Sequence, residues 1–216
     1  MDGQAEVMAA VQAGDKDKLR SLLARDPKLA SARDEKGISA LMQAFYTRHP
    51  ELLKPLLEAN PALDVFEATA LGKSERVAEL LQKDPALARS FSPDGFTALH
   101  FACFFGQEAT GGILLEHGAD PAAVARNPMN VMPLHSAASA RNLALARALL
   151  ERGSPVNAKQ AMGWAPLHAA VQNGDKAMAE LLLKHGADPR ATNDDGVSAV
   201  ELAKKCGHGE LAALLG

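Results

Sequence analysis

Three histidines recur at one position of a repeated motif, and they are the first residues of this sequence that could bind a metal. His100, His135 and His168 each follow a leucine and are 35 and 33 residues apart. Imidazole nitrogen binds zinc at about 2.0–2.1 Å. If each histidine belongs to its own repeat, neighbouring histidines lie roughly 10 Å apart, the usual distance between packed helices. The spacing therefore favours a structural role over a shared metal site.

A cysteine and a histidine three residues apart are a second candidate, because His100 and Cys103 would share one face of a helix. A thiol attacks only as the thiolate, and its base needs a third group to orient it. Cys103 occupies the position that Ala138 and Val171 hold in later copies of the motif, which indicates a buried packing residue. We therefore predict that the protein is not an enzyme. An enzyme whose site cannot be named from the sequence is the remaining alternative.

The other polar motifs also indicate local structure. The run Asn193-Asp194-Asp195-Gly196 resembles the beginning of a calcium-binding loop but lacks the later ligands, so we predict a turn. His117 and His185 each precede a glycine that ends a helix, where histidine is favourable. The sequence contains no glycine-rich phosphate loop and no Cys-x-x-Cys pair. We predict no cofactor and no metal.

Copies of one short motif position these residues. The clearest copies are Thr-Ala-Leu-His-Phe-Ala (97–102), Met-Pro-Leu-His-Ser-Ala (132–137) and Ala-Pro-Leu-His-Ala-Ala (165–170). Residues aligned with the motif leucine recur along the chain, at Val7, Leu41, Val65, Leu99, Leu134, Leu167 and Val200. A Leu-Leu pair begins 15 residues after each of the first six positions. Two markers that keep the same phase indicate a repeat protein, and we predict that the side chains at all seven motif positions are buried.

A period near 33 residues headed by a Thr-Pro-Leu-His-like motif resembles the ankyrin repeat. The resemblance implies an all-α solenoid of about fourteen helices, stacked as helix-turn-helix pairs with short extended fingers and no true sheet. It also implies that the motif histidine hydrogen-bonds the neighbouring finger. We predict one domain, 1–216, with about seven repeats at 1–35, 36–60, 61–93, 94–128, 129–161, 162–194 and 195–216. The composition is similar to that of bacterial members of the family.

One step between copies is short. Leu41 and Val65 are 24 residues apart, about ten fewer than in the other steps. Asn60-Pro61 follows the second helix of that copy. Asparagine tolerates the left-handed conformation that closes a helix, and proline cannot continue one. We therefore predict no extended finger between Leu57 and Val65.

Composition argues against several classes of partner. The net charge is -3, with acidic and basic residues interspersed, so the chain lacks the basic face of a nucleic-acid-binding protein. No apolar stretch approaches the roughly 20 residues of a membrane span. The first residues lack the basic start and apolar run of a signal peptide. We expect a cytoplasmic protein with reduced thiols that binds neither nucleic acid nor membranes.

Aromatic residues make up only 4% of the chain, yet five of its seven phenylalanines lie between residues 91 and 105. The family resemblance assigns several of the aromatic residues to variable positions on a concave binding face. We predict that these aromatic residues and two methionines bind a partner: Phe96, Phe104, Phe105, Trp164, Met162, Met129 and Tyr46. The alternative is that the aromatic rings pack over one another or fill the gap left by the missing finger.

From these observations we predict a non-enzymatic scaffold or adaptor that binds an unidentified protein through its concave face. We expect a monomer, with a homodimer as the alternative. An oligomerising or regulatory module of a larger assembly would instead bury the aromatic residues in a self-contact. A secreted, host-directed effector is also compatible with the sequence.

We predict that Cys103 and Cys206 are unpaired, because they lie in different copies, and that the protein binds no stoichiometric metal. Intact-mass measurement and elemental analysis check both points. A mass two protons below that of the reduced chain, or zinc at one ion per chain, would contradict this interpretation.

Overall fold

The computed structural model describes residues 3–216, which contain fourteen α-helices and no β-strand. The helices are Gly3–Ala13 (α1), Lys16–Arg25 (α2), Ala40–Tyr46 (α3), Leu53–Glu58 (α4), Val65–Ala70 (α5), Ser74–Lys83 (α6), Ala98–Phe104 (α7), Glu108–Glu116 (α8), Pro133–Ser139 (α9), Leu143–Glu151 (α10), Pro166–Gln172 (α11), Lys176–Lys184 (α12), Ala199–Lys205 (α13) and Gly209–Leu215 (α14). Short 3-10 helices lie at Pro27–Ser31, Pro50–Leu52, Pro85–Arg89 and Ala161–Gly163. The all-α repeat fold is confirmed.

The chain divides into two compact units, residues 1–67 and residues 68–216. In the first unit, α1 packs on α2 and α3, and α4 packs on α2 and α3. In the second unit the first helices of successive copies, α7, α9, α11 and α13, stack in one row. The second helices α6, α8, α10 and α12 stack in another row. Each unit is thus a two-layer array in which a helix pair buries its apolar faces against its neighbours.

Copy six, residues 162–194, illustrates why this sequence forms helix pairs. Pro166 is the first residue of α11, where a missing N–H breaks no hydrogen bond. Gly174 follows the helix at a φ of 66°, a left-handed conformation that glycine adopts without a Cβ clash. Asp175 then caps α12 by accepting a 3.1 Å hydrogen bond from the Met178 N–H. Leu182 and Met178 are fully buried and form the apolar stripe of α12.

The repeat register predicted from the leucine positions is largely confirmed. Six of the seven positions are at most 2% exposed: Val7, Leu41, Val65, Leu99, Leu134 and Leu167. The seventh, Val200, is only half-buried, so the expectation that all seven are buried is wrong there. Val200 lies in α13, which packs on α11 and α14, whereas α9 and α11 have a first helix packed on both sides.

The predicted absence of a finger in the short step is confirmed. Only residues 59–64 connect α4 to α5, and none of them forms a β-bridge. Asn60 has a φ of 52°, and its N–H donates to the Leu57 carbonyl at 3.0 Å. In other copies the finger carries an isolated antiparallel bridge, at Arg33–Ser39, Phe91–Thr97 and Thr192–Ser198.

Relative to the motif position, the helix after the short step begins one residue later than the first helices of copies two and four to seven. Val65 is the first residue of α5, whereas Leu99 is the second residue of α7. The Asp64 carboxylate accepts from the Glu67 N–H at 2.9 Å, and the Glu67 carboxylate accepts from the Asp64 N–H at 2.8 Å. These reciprocal bonds form a capping box. Burial, reinforced by the negative charge of Asp64, raises the pKa of Glu67, although Arg33 pairs with both carboxylates at 3.0 and 3.3 Å.

The three motif histidines join each first helix of the second unit to the next finger. His100 donates from Nε2 to the Val131 carbonyl at 3.0 Å. His135 donates to Ala158 at 3.0 Å, and His168 donates to Val197 at 3.2 Å. In each ring Nδ1 accepts from the backbone N–H three residues earlier, at 3.1 Å. The predicted structural role is therefore confirmed, and the two bonds require a neutral imidazole with its proton on Nε2.

Burial opposes protonation of these rings. It lowers the pKa of His100 to about 4 and also lowers the pKa of His135 and His168 from their ordinary value. In copy seven the same position is Glu201, whose carboxylate accepts from the Ser198 N–H at 2.8 Å and from the Ser198 hydroxyl at 2.9 Å. A carboxylate can cap its own helix in this way, but it has no proton to donate to another finger.

Truncating a buried motif leucine should be costly. We expect Leu134→Ala to lower the free energy of unfolding by about 2–5 kcal/mol, because a fully buried side chain is replaced by a cavity. Val200→Ala, at the half-buried equivalent position, should cost about 1 kcal/mol. Chemical denaturation followed by circular dichroism measures both changes. Equal losses for the two variants would contradict the packing described here.

The histidines should make stability depend on pH. Because the folded-state pKa of His100 lies below the unfolded value of about 6.5, the unfolded chain binds more protons between pH 6.5 and 4. Stability is therefore fully present above pH 6.5 and is lost as the pH falls toward 4, by up to about 1.4 kcal/mol per pH unit from His100 alone. Denaturation at a series of pH values should give a shallower slope for His100→Gln. His117→Gln, which removes an exposed imidazole, is the control, and an unchanged slope in His100→Gln would contradict the assignment.

Candidate protein-binding surface

The fingers of the second unit, residues 90–97, 123–132, 156–165 and 189–198, are joined at their tips by main-chain hydrogen bonds. The Arg126 N–H donates to the Gly95 carbonyl at 2.7 Å, and the Ala161 N–H donates to the Met129 carbonyl at 2.9 Å. The Asp194 N–H donates to the Met162 carbonyl at 3.1 Å. We call this continuous edge the finger row. It holds side chains from successive copies next to one another.

Two methionines of the finger row are largely exposed. Met129 is 53% exposed and Met162 is 65% exposed, and both are predicted partner-binding residues. Met162 has a φ of 64°, which is uncommon for a residue other than glycine. Trp164 follows two residues later and is half-buried, with its ring 5.7 Å from that of His168. Trp164 therefore presents one part of its surface to solvent and packs the other against the motif histidine.

The predicted phenylalanines differ in exposure. Phe104 is 57% exposed, whereas Phe96 and Phe105 are half-buried. Phe101, which is buried, lies 5.7 Å from Phe96 and 6.2 Å from Phe105 between ring centroids. Phe104 meets Phe105 edge to face at 5.2 Å. The rings thus pack over one another, as the alternative interpretation of this cluster expects, and they leave Phe104 largely in solvent.

The remaining predicted residue, Tyr46, belongs to the first unit. It is the last residue of α3 and is 40% exposed. The other six predicted residues all belong to the second unit. We therefore define the apolar surface by those six alone: Phe96, Phe104, Phe105, Met129, Met162 and Trp164.

The residues that suggested chemistry are engaged in structure. Cys103 is fully buried, and burial raises the pKa of its thiol, so the reactive thiolate is disfavoured. Both ring nitrogens of His100 are hydrogen-bonded to backbone groups. His117 and His185 each donate from Nδ1 to the carbonyl four residues earlier, at 2.9 Å, as expected near a helix C-terminus. Cys206 is free and exposed.

The calcium-loop-like run is a turn. The Asn193 side-chain oxygen accepts from the N–H groups of Asp195 at 3.1 Å and Val197 at 2.9 Å. Within residues 3–216 no cluster of three or more His, Cys, Asp or Glu side chains is arranged to hold a metal ion. In the same part of the chain, none of the helices has the length and apolar character needed to cross a bilayer.

A surface cavity of about 750 Å³ lies beside the fingers of the second unit. Its lining includes Arg89, Phe91 and Arg126. The Arg126 guanidinium stacks 3.9 Å above the Phe91 ring, and Arg89 donates to the Gly118 carbonyl at 2.7 Å. Asp120 also lines this cavity, and its carboxylate accepts from the Ala122 N–H at 2.8 Å.

Sequence reasoning missed the charged residues that flank the two exposed methionines. Asp94, Met129, Met162 and Asp195 each stand five residues before a motif position, in successive copies. This common offset is visible in the sequence. The sequence does not show that the four positions lie side by side, because the finger row that aligns them is built from main-chain hydrogen bonds.

Comparison with known proteins agrees with this architecture. The family described as "Ankyrin repeats (3 copies)" matches residues 134–216, and the single "Ankyrin repeat" matches residues 94–126. The chain is also similar to the nuclear factor NF-kappa-B p105 subunit of Gallus gallus, with 28% identity over 157 residues. That alignment covers 66% of this chain and 16% of the relative, so the chain spans only a small part of the relative's length. On its helix pairs, its bridging histidines and these matches, the chain belongs to the ankyrin repeat family.

Proposed function

We propose that this protein is a scaffold or adaptor that binds another protein through the apolar surface of its second unit. The observation that carries the proposal is the exposure of three large apolar side chains, Phe104, Met129 and Met162, each more than half exposed. Single exposed apolar residues are ordinary on protein surfaces. A group of them on adjoining copies is typical of interaction sites.

The side chains of the apolar surface suit a docking role. Methionine is flexible and polarisable, and it is common on surfaces that adapt to a partner. Phe104 packs edge to face on Phe105, which in turn stacks on the buried Phe101, so Phe104 can contact a partner without losing much conformational entropy. The first helices and the finger row hold these groups on stacked elements rather than on isolated loops.

The chemistry of the described residues supports binding over catalysis. The ankyrin repeat is an interaction fold, and the buried histidines and thiol of this chain are used in packing and hydrogen bonding. We also propose that the protein acts in the cytoplasm, because a reducing compartment keeps an exposed thiol such as that of Cys206 reduced. We expect a monomer, and self-association through the same surface is the alternative.

The test uses replacements that disturb binding without disturbing the fold. We expect a Phe104→Ser/Met162→Asn variant to lose at least about 2 kcal/mol of binding free energy for a partner identified by cross-linking, because anchoring residues dominate interfaces. Asparagine is chosen at 162 because it tolerates a positive φ. Leu214→Ser, which changes an exposed leucine of α14, should bind as the wild type does. Calorimetric titration with the purified partner measures the three affinities.

Measurements of thermal stability and of mass in solution complete this test. Thermal unfolding of the double variant should remain near that of the wild type, since both side chains are mostly exposed. Replacing Phe96, Phe105 or Trp164 is expected to reduce stability as well, because these rings are half-buried. Wild-type affinity in the double variant would contradict the proposal. A wild-type dimer that dissociates in the variant, seen by light scattering, would make the surface a self-association site.

A further inference from the structure

The junction between copies four and five contains a cavity where, at three other junctions, a side chain covers the equivalent position. A left-handed glycine follows the first helix in several copies, and a residue at the start of the next copy's second helix lies against it. The pairs in contact are Gly14–His49, Gly72–Gln107 and Gly174–His208. At Gly106 the equivalent residue is Asn142, and no atom of it lies within 4 Å of the place that a Cβ would take. A surface cavity of about 560 Å³ lies there instead, beside the starts of α8 and α10.

Asn142 is part of the wall of this cavity and is only 6% exposed. Its side-chain oxygen caps α10 by accepting from the Leu145 N–H at 3.1 Å. Its side-chain amide nitrogen is buried as well and donates to no protein group among residues 3–216. In copy four, Gln107 donates from the same position to the Ala70 carbonyl of the preceding copy at 3.0 Å. Because asparagine is one methylene shorter than glutamine, the Asn142 donor needs an acceptor from outside the chain.

The surroundings of the cavity attract negative charge. The cavity lies at the N-terminus of α10, a helix of nine residues, where the Ala144 N–H has no acceptor in the described part of the chain. Three charged side chains line the cavity, Glu108, Arg141 and Arg147, and none of them is in an ion pair within residues 3–216. Arg141 donates to the Asn173 carbonyl, which leaves its positive charge in place. With Glu108 counted, one negative and two positive charges give the lining a net charge of +1.

We propose that this cavity binds a carboxylate group. The two oxygens of a carboxylate are acceptors for the Asn142 amide and the Ala144 N–H, and the exposed Arg147 guanidinium can add a charge-assisted hydrogen bond. One negative charge also balances the net charge of the lining. A phosphate group, with a charge of about −1.5 to −2 at pH 7, would exceed that balance and would face the Glu108 carboxylate. The lining contains no residue of the apolar surface, so this site goes beyond the proposed function.

Two sources can supply this carboxylate. One is a small carboxylic acid in solution, and the other is an Asp or Glu side chain of a partner protein. Phe104 is 57% exposed and lies only two residues before Gly106 of the cavity lining, so a protein that contacts Phe104 comes close to the cavity. Both sources present the same group to Asn142, and they differ in whether an aromatic contact beside it strengthens binding.

Titration of the isotope-labelled full chain with acetate, followed by NMR, tests the site. Acetate replaces chloride at constant ionic strength and neutral pH, so that screening does not change. We expect the side-chain amide signal of Asn142 and the N–H signal of Ala144 to shift together and to saturate in the millimolar range, because acetate has few atoms with which to bind. Phosphate should bind at least about fivefold more weakly. Shifts that do not saturate, or equal affinity for the two anions, would overturn the proposal.

Variants of Asn142 identify the donor. Asn142→Gln introduces the side chain that covers the equivalent glycine in copy four, and Asn142→Asp keeps the helix cap, as Asp175 does in copy six, but has no N–H to donate. Both variants should weaken acetate binding at least about tenfold, measured at the Ala144 signal. Asn60→Asp makes the same charge change at an exposed residue of the first unit and should alter affinity less than about twofold. Thermal unfolding verifies that each variant is folded, and wild-type acetate affinity in Asn142→Gln would contradict the site.

A pair of capped dipeptides separates the two sources. Acetyl-Phe-Glu-amide carries a carboxylate and an aromatic ring, and acetyl-Phe-Gln-amide carries the ring alone. If the first binds at least about tenfold more tightly than acetate, and Phe104→Ser removes this gain, the carboxylate belongs to a partner protein. If it binds only as tightly as acetate, the carboxylate belongs to a small acid. Equal affinity for the two dipeptides would overturn the requirement for a carboxylate, whether or not the apolar surface binds a partner.

Discussion

A neutral imidazole that bonds in two directions is the interaction on which the second unit depends. In His100, His135 and His168, Nδ1 accepts the N–H that begins its own helix, and Nε2 donates to a carbonyl of the next finger. One side chain thus satisfies a helix terminus and a loop carbonyl that would otherwise lack partners. A residue that only accepts, such as Glu201 in copy seven, can perform the first task but not the second.

The candidate surface follows from this constraint. Each histidine fixes the finger that follows it, and the fixed fingers then bond to one another through Arg126, Ala161 and Asp194. Because these contacts involve the main chain, the side chains at the finger tips are free to vary. Two of these side chains are the exposed methionines Met129 and Met162. The main-chain bonds between the fingers do not depend on which side chains stand at these positions. Stability and recognition are in this sense carried by different atoms of the same segments.

Much of this architecture was predictable, because the leucine positions and the motif histidines repeat with the helix pairs. The absent finger followed from Asn60-Pro61 and the short step, since backbone preferences there are strong and local. The later start of α5 was not predictable, because it depends on the reciprocal bonds of Asp64 and Glu67. Similarly, the sequence named the phenylalanines of the candidate surface, but only tertiary packing determines that Phe104 is exposed while Phe101 is buried.

The direction of the histidine bonds also determines where a proton acts. Each bond crosses from one copy to the next, so separating two copies hydrates an imidazole that was dry and allows it to bind H⁺. The proton is then a ligand of the separated state, and mass action favours separation in acid. Acid should therefore weaken the contacts between neighbouring copies before it unfolds the helix pairs themselves. The copies of the second unit would then separate from one another at the repeat boundaries.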